Sequence, residues 1–137
     1  MIRTNISGGS PFEPIIGFSR AVRVGNAVHL AGTGPVGAEI EDAAGQTRRI
    51  FAIAEKALKE AGATFPNVVR TRMFLTHVED WEAIGRVHGE FFSNIRPAAT
   101  MVVVAALLNS AWRIEIEFDA VISETPAGIA RPLTTDN

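Results

Sequence analysis

The sequence lacks cysteine altogether: none occurs among its 137 residues. This excludes disulfides, thiolate zinc sites and cysteine nucleophiles, and it gives no indication of an oxidising compartment. Apolar runs long enough to span a bilayer are also missing. Residues 1–16 are interrupted by glycine and proline and have no continuous apolar stretch of the kind that a signal peptide needs. These absences predict a cytoplasmic protein without a membrane partner.

Long runs of like charge are absent too, and the formal net charge is only -2. We therefore predict no nucleic-acid partner. The three histidines, His29, His77 and His88, fall on different predicted elements without ligand spacing, which predicts no metal site. Glycines near position 32 are not followed by the Lys-Ser/Thr pair of a phosphate loop. We accordingly expect no cofactor.

The length and the apolar share of 47% predict one compact domain over residues 1–122. Residues 1–16 are predicted to be irregular, and residues 123–137, which contain two prolines and a glycine, are predicted to form a flexible tail. Residues 41–61 carry apolar or small side chains at helical spacing, with Asp42 as N-cap and Gly62 as C-terminal cap. A second helix is predicted from Glu79 to about Asn94.

Strand patterns occupy the rest of the chain. Two short strands within residues 21–32 are predicted to form a hairpin at Gly25-Asn26, because both residues tolerate positive φ. Residues 68–75 and 112–122 alternate between apolar and polar side chains. The order strand, strand, helix, strand, helix, strand, strand predicts an α+β fold with one sheet and both helices on a single face.

Residues 100–108 are apolar at nearly every position. A strand of this kind must be covered on both faces, and two helices can cover only one face of the sheet. A second copy of the chain is the natural cover for the other face. The alternative is that the run is partly helical.

Several segments in order resemble the reactive intermediate deaminase (Rid, or YjgF) family over residues 15–122. They are Gly17-Phe18-Ser19, Val24-Gly25-Asn26, Leu30-Ala31-Gly32, Leu58-Lys59-Glu60-Ala61-Gly62, Val69-Arg70-Thr71-Arg72-Met73-Phe74-Leu75, Phe91-Phe92, Arg96-Pro97-Ala98-Ala99-Thr100 and Ile114-Glu115-Ile116-Glu117. The resemblance implies a chorismate-mutase-like fold and a homotrimer with the sheets turned toward the central axis. It also implies three ligand sites between subunits and hydrolysis of 2-imino acids or their enamine tautomers to 2-keto acids and ammonia.

In well-known members of that family an arginine binds the substrate carboxylate, a glutamate orients the attacking water, and a tyrosine and a serine lie in the pocket. In this sequence the arginine falls on Ala99, the tyrosine on Phe18 and the serine on Ala31, whereas the glutamate is retained as Glu115 and a glycine as Gly32. Losing one charge-assisted pair costs about 2 to 5 kcal/mol. The resemblance, together with the replacement of the arginine by Ala99, therefore implies altered substrate specificity.

We predict that Glu115 is the catalytic residue. The predicted substrate-binding residues are Phe18, Ala31, Gly32, Thr33, Arg96, Ala99, Thr100 and Met101. Phe18 and Met101 favour an aromatic or aliphatic ligand, or they merely fill space. Two readings stay open: Glu115 could instead pair with Arg70, Arg72 or Arg113, and Arg96 could be a solvated loop arginine.

Three functions remain in competition at this level. The first is an enamine or imine deaminase whose ligand is an imine, a keto acid or an aromatic acid. The second is a non-catalytic trimer that binds a metabolite. The third is the endoribonuclease or translation-inhibitor activity attached to the family, which the acidic charge balance disfavours.

Overall fold

The computed structural model describes residues 1–123, which form one six-stranded sheet and two long helices. The strands are β1 (Arg3–Ile6), β2 (Ala21–Val24), β3 (Ala27–Thr33), β4 (Val68–Leu75), β5 (Ala98–Val103) and β6 (Ile114–Val121), and the helices are α1 (Ala43–Glu60) and α2 (Trp81–Phe92). The spatial order is β1-β2-β3-β6-β4-β5, in which only β4 and β5 are parallel. The predicted α+β fold is confirmed. The predicted tail lies outside the described residues, except for Ser123.

The N-terminal segment is more ordered than predicted. Residues 1–16 were expected to be irregular, but β1 pairs antiparallel with β2, from Arg3 opposite Val24 to Ile6 opposite Ala21. The prediction was wrong here because β1 has no apolar alternation: its side chains are mostly exposed, and it is held by backbone hydrogen bonds to its neighbour. A short π-helical turn, Glu13–Gly17, follows.

Helix α1 begins and ends where its caps predict. The Asp42 side chain accepts a hydrogen bond from the Gly45 backbone N–H, and Gly62 has a φ of 88° beyond the C-terminus. The buried side of the helix contains Ile50, Phe51, Ala54, Ala57 and Leu58. Packing of this face against β3 and β6 places α1 over the middle of the sheet.

Helix α2 connects the parallel strands β4 and β5 and lies beside α1 on the same face. Its buried residues are Ile84, Val87 and Phe92. Trp81 and Phe91, in the same helix, are 58% and 36% exposed. Arg96 then reverses the chain with a φ of 58°, ahead of the strand that starts at Ala98.

Strand β5 occupies an edge of the sheet. The prediction of a strand over residues 100–108 was wrong at both ends, because β5 begins at Ala98 and stops at Val103. Val102 and Val103 are 41% and 51% exposed. Within residues 1–123, therefore, this apolar strand is paired on one side only and is not covered on both faces.

Candidate functional site

Strand β6 divides its side chains between the two faces of the sheet. Ile114, Ile116, Phe118 and Ala120 are at most 1% exposed and pack under the helices. Glu115, Glu117 and Asp119 point to the opposite face, which we call the open face, and all three are only partly buried. The open face therefore carries a line of carboxylates along a strand in the middle of the sheet.

A β-bulge in β3 lies next to this line. Leu30 is opposite Phe118 and Thr33 is opposite Ile116, so three steps along β3 match two steps along β6. The extra residue lies in the Ala31-Gly32 segment, and both Leu30 and Thr33 consequently face the helices. The bulge turns the backbone of Gly32 toward Glu115.

Gly32 leaves the space that the Glu115 carboxylate occupies. A Cβ at position 32 would lie 2.2 Å from Glu115 Oε2, which is far inside van der Waals contact. The φ of Gly32 is not positive. The glycine is therefore required by the close approach of the side chain and not by the backbone conformation.

Glu115 has no hydrogen-bond or ion-pair partner among residues 1–123. Burial raises the pKa of its carboxyl above the ordinary value; Arg20 opposes that rise in pKa and Glu117 adds to it. A partly buried carboxylate of raised pKa, with its lone pairs unused, can accept a proton from water. This is the chemical capacity that the arrangement offers.

Arg20 approaches the same point from the position before β2. Its Nη2 donates to the Gly32 carbonyl at 2.7 Å, and its backbone carbonyl accepts from the Ala31 N–H at 3.0 Å. Burial lowers the pKa of the Arg20 guanidinium, while the charges of Glu13 and Glu115 act in the opposite direction. Arg20, the bulge and Glu115 thus form one cluster.

The other open-face carboxylates are neutralised by neighbours. Arg72 Nη1 lies 3.0 Å from Asp119 Oδ2 and 3.5 Å from Glu117 Oε1, and His29 Nδ1 lies 2.8 Å from Asp119 Oδ1. Arg113 pairs with Asp80 at 2.7 Å. The alternative reading, in which Glu115 pairs with Arg70, Arg72 or Arg113, is not what the structure shows.

Phe18 and Ala31 line a cleft of about 490 Å³ at the β1-β2-β3 end of the sheet, together with Val22 and His29. Glu115 and Gly32 are not among its lining residues. Thr33 faces the helices at 1% exposure, and its hydroxyl donates to the Ala31 carbonyl. The structure therefore brings Phe18, Ala31 and Gly32 to one end of the sheet and turns Thr33 away from the open face.

The remaining predicted site residues lie at or near the opposite edge of the sheet, that of β5. Ala99, Thr100 and Met101 belong to β5, which is separated from β3 by β6 and β4. At a spacing of about 4.8 Å per strand the two strands are about 14 Å apart. Met101 packs against the core. Arg96 is exposed, and its Nε donates to the Ser93 carbonyl at 2.9 Å, which agrees with the solvated-loop reading.

Two general features of the described residues can be stated briefly. Within residues 1–123 no group of three or more His, Asp or Glu side chains is arranged to hold a metal ion. In the same range no helix combines the length and the apolar character needed to cross a membrane.

Comparisons with known proteins identify the fold family. The family model described as Endoribonuclease L-PSP matches residues 9–122. The chain belongs to this family, which is the YjgF/Rid family. A solved structure from Mycobacterium tuberculosis, a member of the YjgF/YER057c/UK114 family, is 45% identical, with a TM-score of 0.82 over 88% of this chain and 100% of that chain.

Two curated relatives match most of the chain. An uncharacterized protein of Streptomyces coelicolor is 36% identical over 119 residues, which cover 84% of this chain and 89% of that protein. The 2-iminobutanoate/2-iminopropanoate deaminase of Dermatophagoides farinae is 34% identical over 122 residues, which cover 80% of this chain and 89% of that protein. Family membership predicted from the sequence is thus confirmed.

Sequence reasoning missed Arg20 and the bulge. Arg20 lies 95 positions before Glu115 and offered only one signal, a basic residue directly in front of an apolar strand. The bulge had a clearer signal. Leu30 and Thr33 flank two small residues, Ala31 and Gly32, and glycine inside a strand is a common mark of a bulge.

Proposed function

We propose that this protein is an imine or enamine deaminase whose reaction is carried by Glu115. The supporting observation is the state of that carboxylate: it is partly buried, has no partner among the described residues, and lies over a glycine that leaves room for it. Carboxylates in this state are suited to accept a proton from water. The deaminase names of three relatives at 31 to 34% identity support the same reaction class.

The chemistry balances without a cofactor. The Glu115 carboxylate accepts a proton from water while the water oxygen bonds to the imine carbon, and the C=N double bond becomes a C–N single bond. The proton then passes from Glu115 to nitrogen, which gives a neutral carbinolamine. Glu115 next takes the hydroxyl proton and delivers it to nitrogen, the C–N bond breaks, and ammonia leaves as the C=O bond forms. An enamine substrate first takes a proton on carbon to give the imine. The net reaction is imine plus water to a keto compound plus ammonia.

We propose that each site is completed by a second copy of the chain within a homotrimer. The predicted site residues are spread across the sheet. Ala31 and Gly32 lie on β3 and Glu115 on β6, whereas Ala99 and Thr100 lie on β5, about 14 Å from β3 and about 10 Å from β6. One chain cannot bring them together. The exposed apolar edge of β5, with Val102 and Val103, is the surface we expect the neighbouring subunit to cover.

Ala99 determines the substrate preference in this proposal. A methyl group at that position cannot bind a carboxylate, and Arg96 is engaged at Ser93. With Phe18 lining the cleft, the ligand we expect is an imine with an aromatic or aliphatic side chain, and we expect small 2-imino acids to be handled poorly.

The reaction is tested with imines generated in place by an amino-acid oxidase from small, branched and aromatic amino acids. Release of keto acid and ammonia is followed with and without the protein. We expect faster release for at least one aromatic or branched imine. We expect Glu115→Gln to lower that acceleration about 100-fold, because it removes the proton acceptor but keeps the shape.

The matched control is Asp119→Asn, which neutralises a carboxylate on the same strand and face but away from Gly32. It should retain the acceleration. If no imine in the panel is hydrolysed faster, yet an imine or keto acid raises the melting temperature, the protein is the non-catalytic binding trimer instead.

Assembly is measured by sedimentation equilibrium at micromolar concentration. A species of three times the 14.7 kDa chain mass is expected. A folded monomer would contradict a site shared between copies.

A further inference from the structure

Arg20 forms hydrogen bonds with both residues of the bulge beside Glu115, Ala31 and Gly32. Its side chain binds the carbonyl of Gly32 at 2.7 Å, and its backbone carbonyl binds the N–H of Ala31 at 3.0 Å. Both contacts are to the bulge. Arg20 therefore holds the backbone segment that leaves room for the Glu115 carboxylate.

The charge of Arg20 is not explained by that structural role. Its Nε is buried and has no hydrogen-bond partner, and none of the ion pairs among the described residues includes Arg20. Glu13 and Glu115 act on it only at longer range, and the Glu13 carboxylate accepts from the Gly8 N–H. A partly buried cation without a close anion is costly, and a neutral donor could hold one carbonyl equally well.

The neighbours of Glu115 show that the positive charge of Arg20 acts on its carboxylate. On the β3 side Glu115 meets Gly32, and on the β4 side its register partner is Phe74, so neither strand provides a charge at that level. Within β6 its charged neighbour is Glu117, which pairs with Arg72. Arg20 is consequently the cation that acts on Glu115 among residues 1–123.

We propose that Arg20 is a positioning residue of the Glu115 site, which fixes the bulge through the Gly32 carbonyl and places a positive charge beside the Glu115 carboxylate. This inference rests on the proposed function for its catalytic meaning. Its physical content, a coupling between Arg20 and Glu115, does not depend on any substrate.

The coupling is measured by a pH titration of the Glu115 side-chain carboxyl in protein labelled with ¹³C-glutamate. The Glu115 resonance is assigned by its absence in Glu115→Gln. Arg20→Met removes the charge but keeps the chain length and the apolar contacts. It should raise the Glu115 midpoint by about one pH unit, since a nearby opposite charge lowers a carboxyl pKa by one to three units. Arg20→Lys retains the charge and should leave the midpoint close to that of the wild type.

The pH profile of imine hydrolysis provides the second measurement. Arg20→Met should move the acid limb of kcat/KM upward by about one pH unit, which is about a tenfold loss on the acid side, with a smaller loss on the plateau. Arg20→Lys should lower the plateau without moving the limb, because the Gly32 carbonyl loses its planar donor.

Arg23→Met is the matched control. Arg23 lies on the same strand region and also donates to backbone carbonyls, those of Gly25 and Ala61, but it is remote from Glu115. It should lower the melting temperature without moving the Glu115 midpoint. An unchanged midpoint in Arg20→Met, or an equal shift in Arg23→Met, would overturn the proposal.

The two proposals fail separately. If no imine is hydrolysed but the Glu115 midpoint still depends on Arg20, the proposed reaction is wrong and the coupling stands. If imines are hydrolysed through Glu115 but the midpoint ignores Arg20, only the role of Arg20 is wrong.

Discussion

The two faces of the sheet use the same strands for different purposes. On the helix-packed face of β6 the side chains are aliphatic or aromatic and nearly inaccessible, whereas the open face of the same strand carries three carboxylates. On the packed face even the polar groups are satisfied, as Thr71 Oγ1 and His88 Nε2 show at 2.9 Å. On the open face, Glu115 has no hydrogen-bond or ion-pair partner among residues 1–123. The buried core and the proposed site are therefore separated by a single step along one strand.

The largest expected effect on stability comes from a substitution in the core on the helix-packed face. Phe118 is fully buried and its ring meets that of Phe51 edge-on, with centroids 5.5 Å apart. Phe118→Ala should lower the free energy of unfolding by about 4 kcal/mol, because it removes a large side chain and leaves a cavity. Urea denaturation followed by circular dichroism measures this. Asp119→Asn, the next residue on the other face, should cost about 1 kcal/mol or less. Equal costs would show that the two faces are not separated.

A second substitution acts on the open face. Gly32→Ala places a Cβ where the Glu115 carboxylate lies, so the carboxylate must move by an ångström or more. We expect kcat/KM to fall about 100-fold, since displacements of that size have such effects on catalysis. Steady-state imine hydrolysis is the measurement.

The matched glycine is Gly89 in α2, where an added Cβ meets nothing within 4 Å. Gly89→Ala should stabilise the protein by about 0.5 to 1 kcal/mol and leave kcat/KM unchanged. A Gly32→Ala variant with full activity would remove the steric argument for the site.

The smallest expected effect concerns the polar pair on the packed face. Burial lowers the pKa of His88 below its usual value. The unfolded chain therefore binds a proton at higher pH than the native protein does. The stability that neutral His88 contributes is complete above the unfolded pKa of about 6.5 and is lost as the pH falls from there toward the lower folded pKa.

Melting temperatures measured from pH 7.5 to 5 should show this loss. His88→Gln keeps a polar side chain near Thr71 and cannot take up a proton, so its melting temperature should fall less steeply. Parallel curves for the two proteins would place the pH dependence elsewhere.

The fold was largely predictable because its strongest determinants are local. The periodic apolar residues of α1, its caps at Asp42 and Gly62, and the Gly25-Asn26 turn each appear within a few positions of sequence. Strand β1 was missed because its pairing depends on backbone groups and not on side-chain pattern. The end of β5 was missed because an apolar run has no period from which a boundary can be found.

The site was only partly predictable, since it depends on contacts between distant segments. Glu115 was found because it lies on the polar side of an alternating strand and falls on the glutamate of a family motif. Its neighbour Arg20 is joined to it only by the order of strands in the sheet, which a single sequence does not reveal. Gly32 was found, but the space it leaves for a carboxylate required coordinates.

The candidate site depends on the one additional residue that β3 has between Leu30 and Thr33. Leu30 and Thr33 both turn toward the helices only because the strand carries one more residue than its partner over that stretch. In a homologous chain with one residue fewer between Leu30 and Thr33, one of these two side chains would turn to the open face, or the bulge would be lost. In either case the space beside Gly32 that the Glu115 carboxylate occupies would close. When distant sequences are compared, a gap at this point is therefore as informative as the identity of the acid on β6.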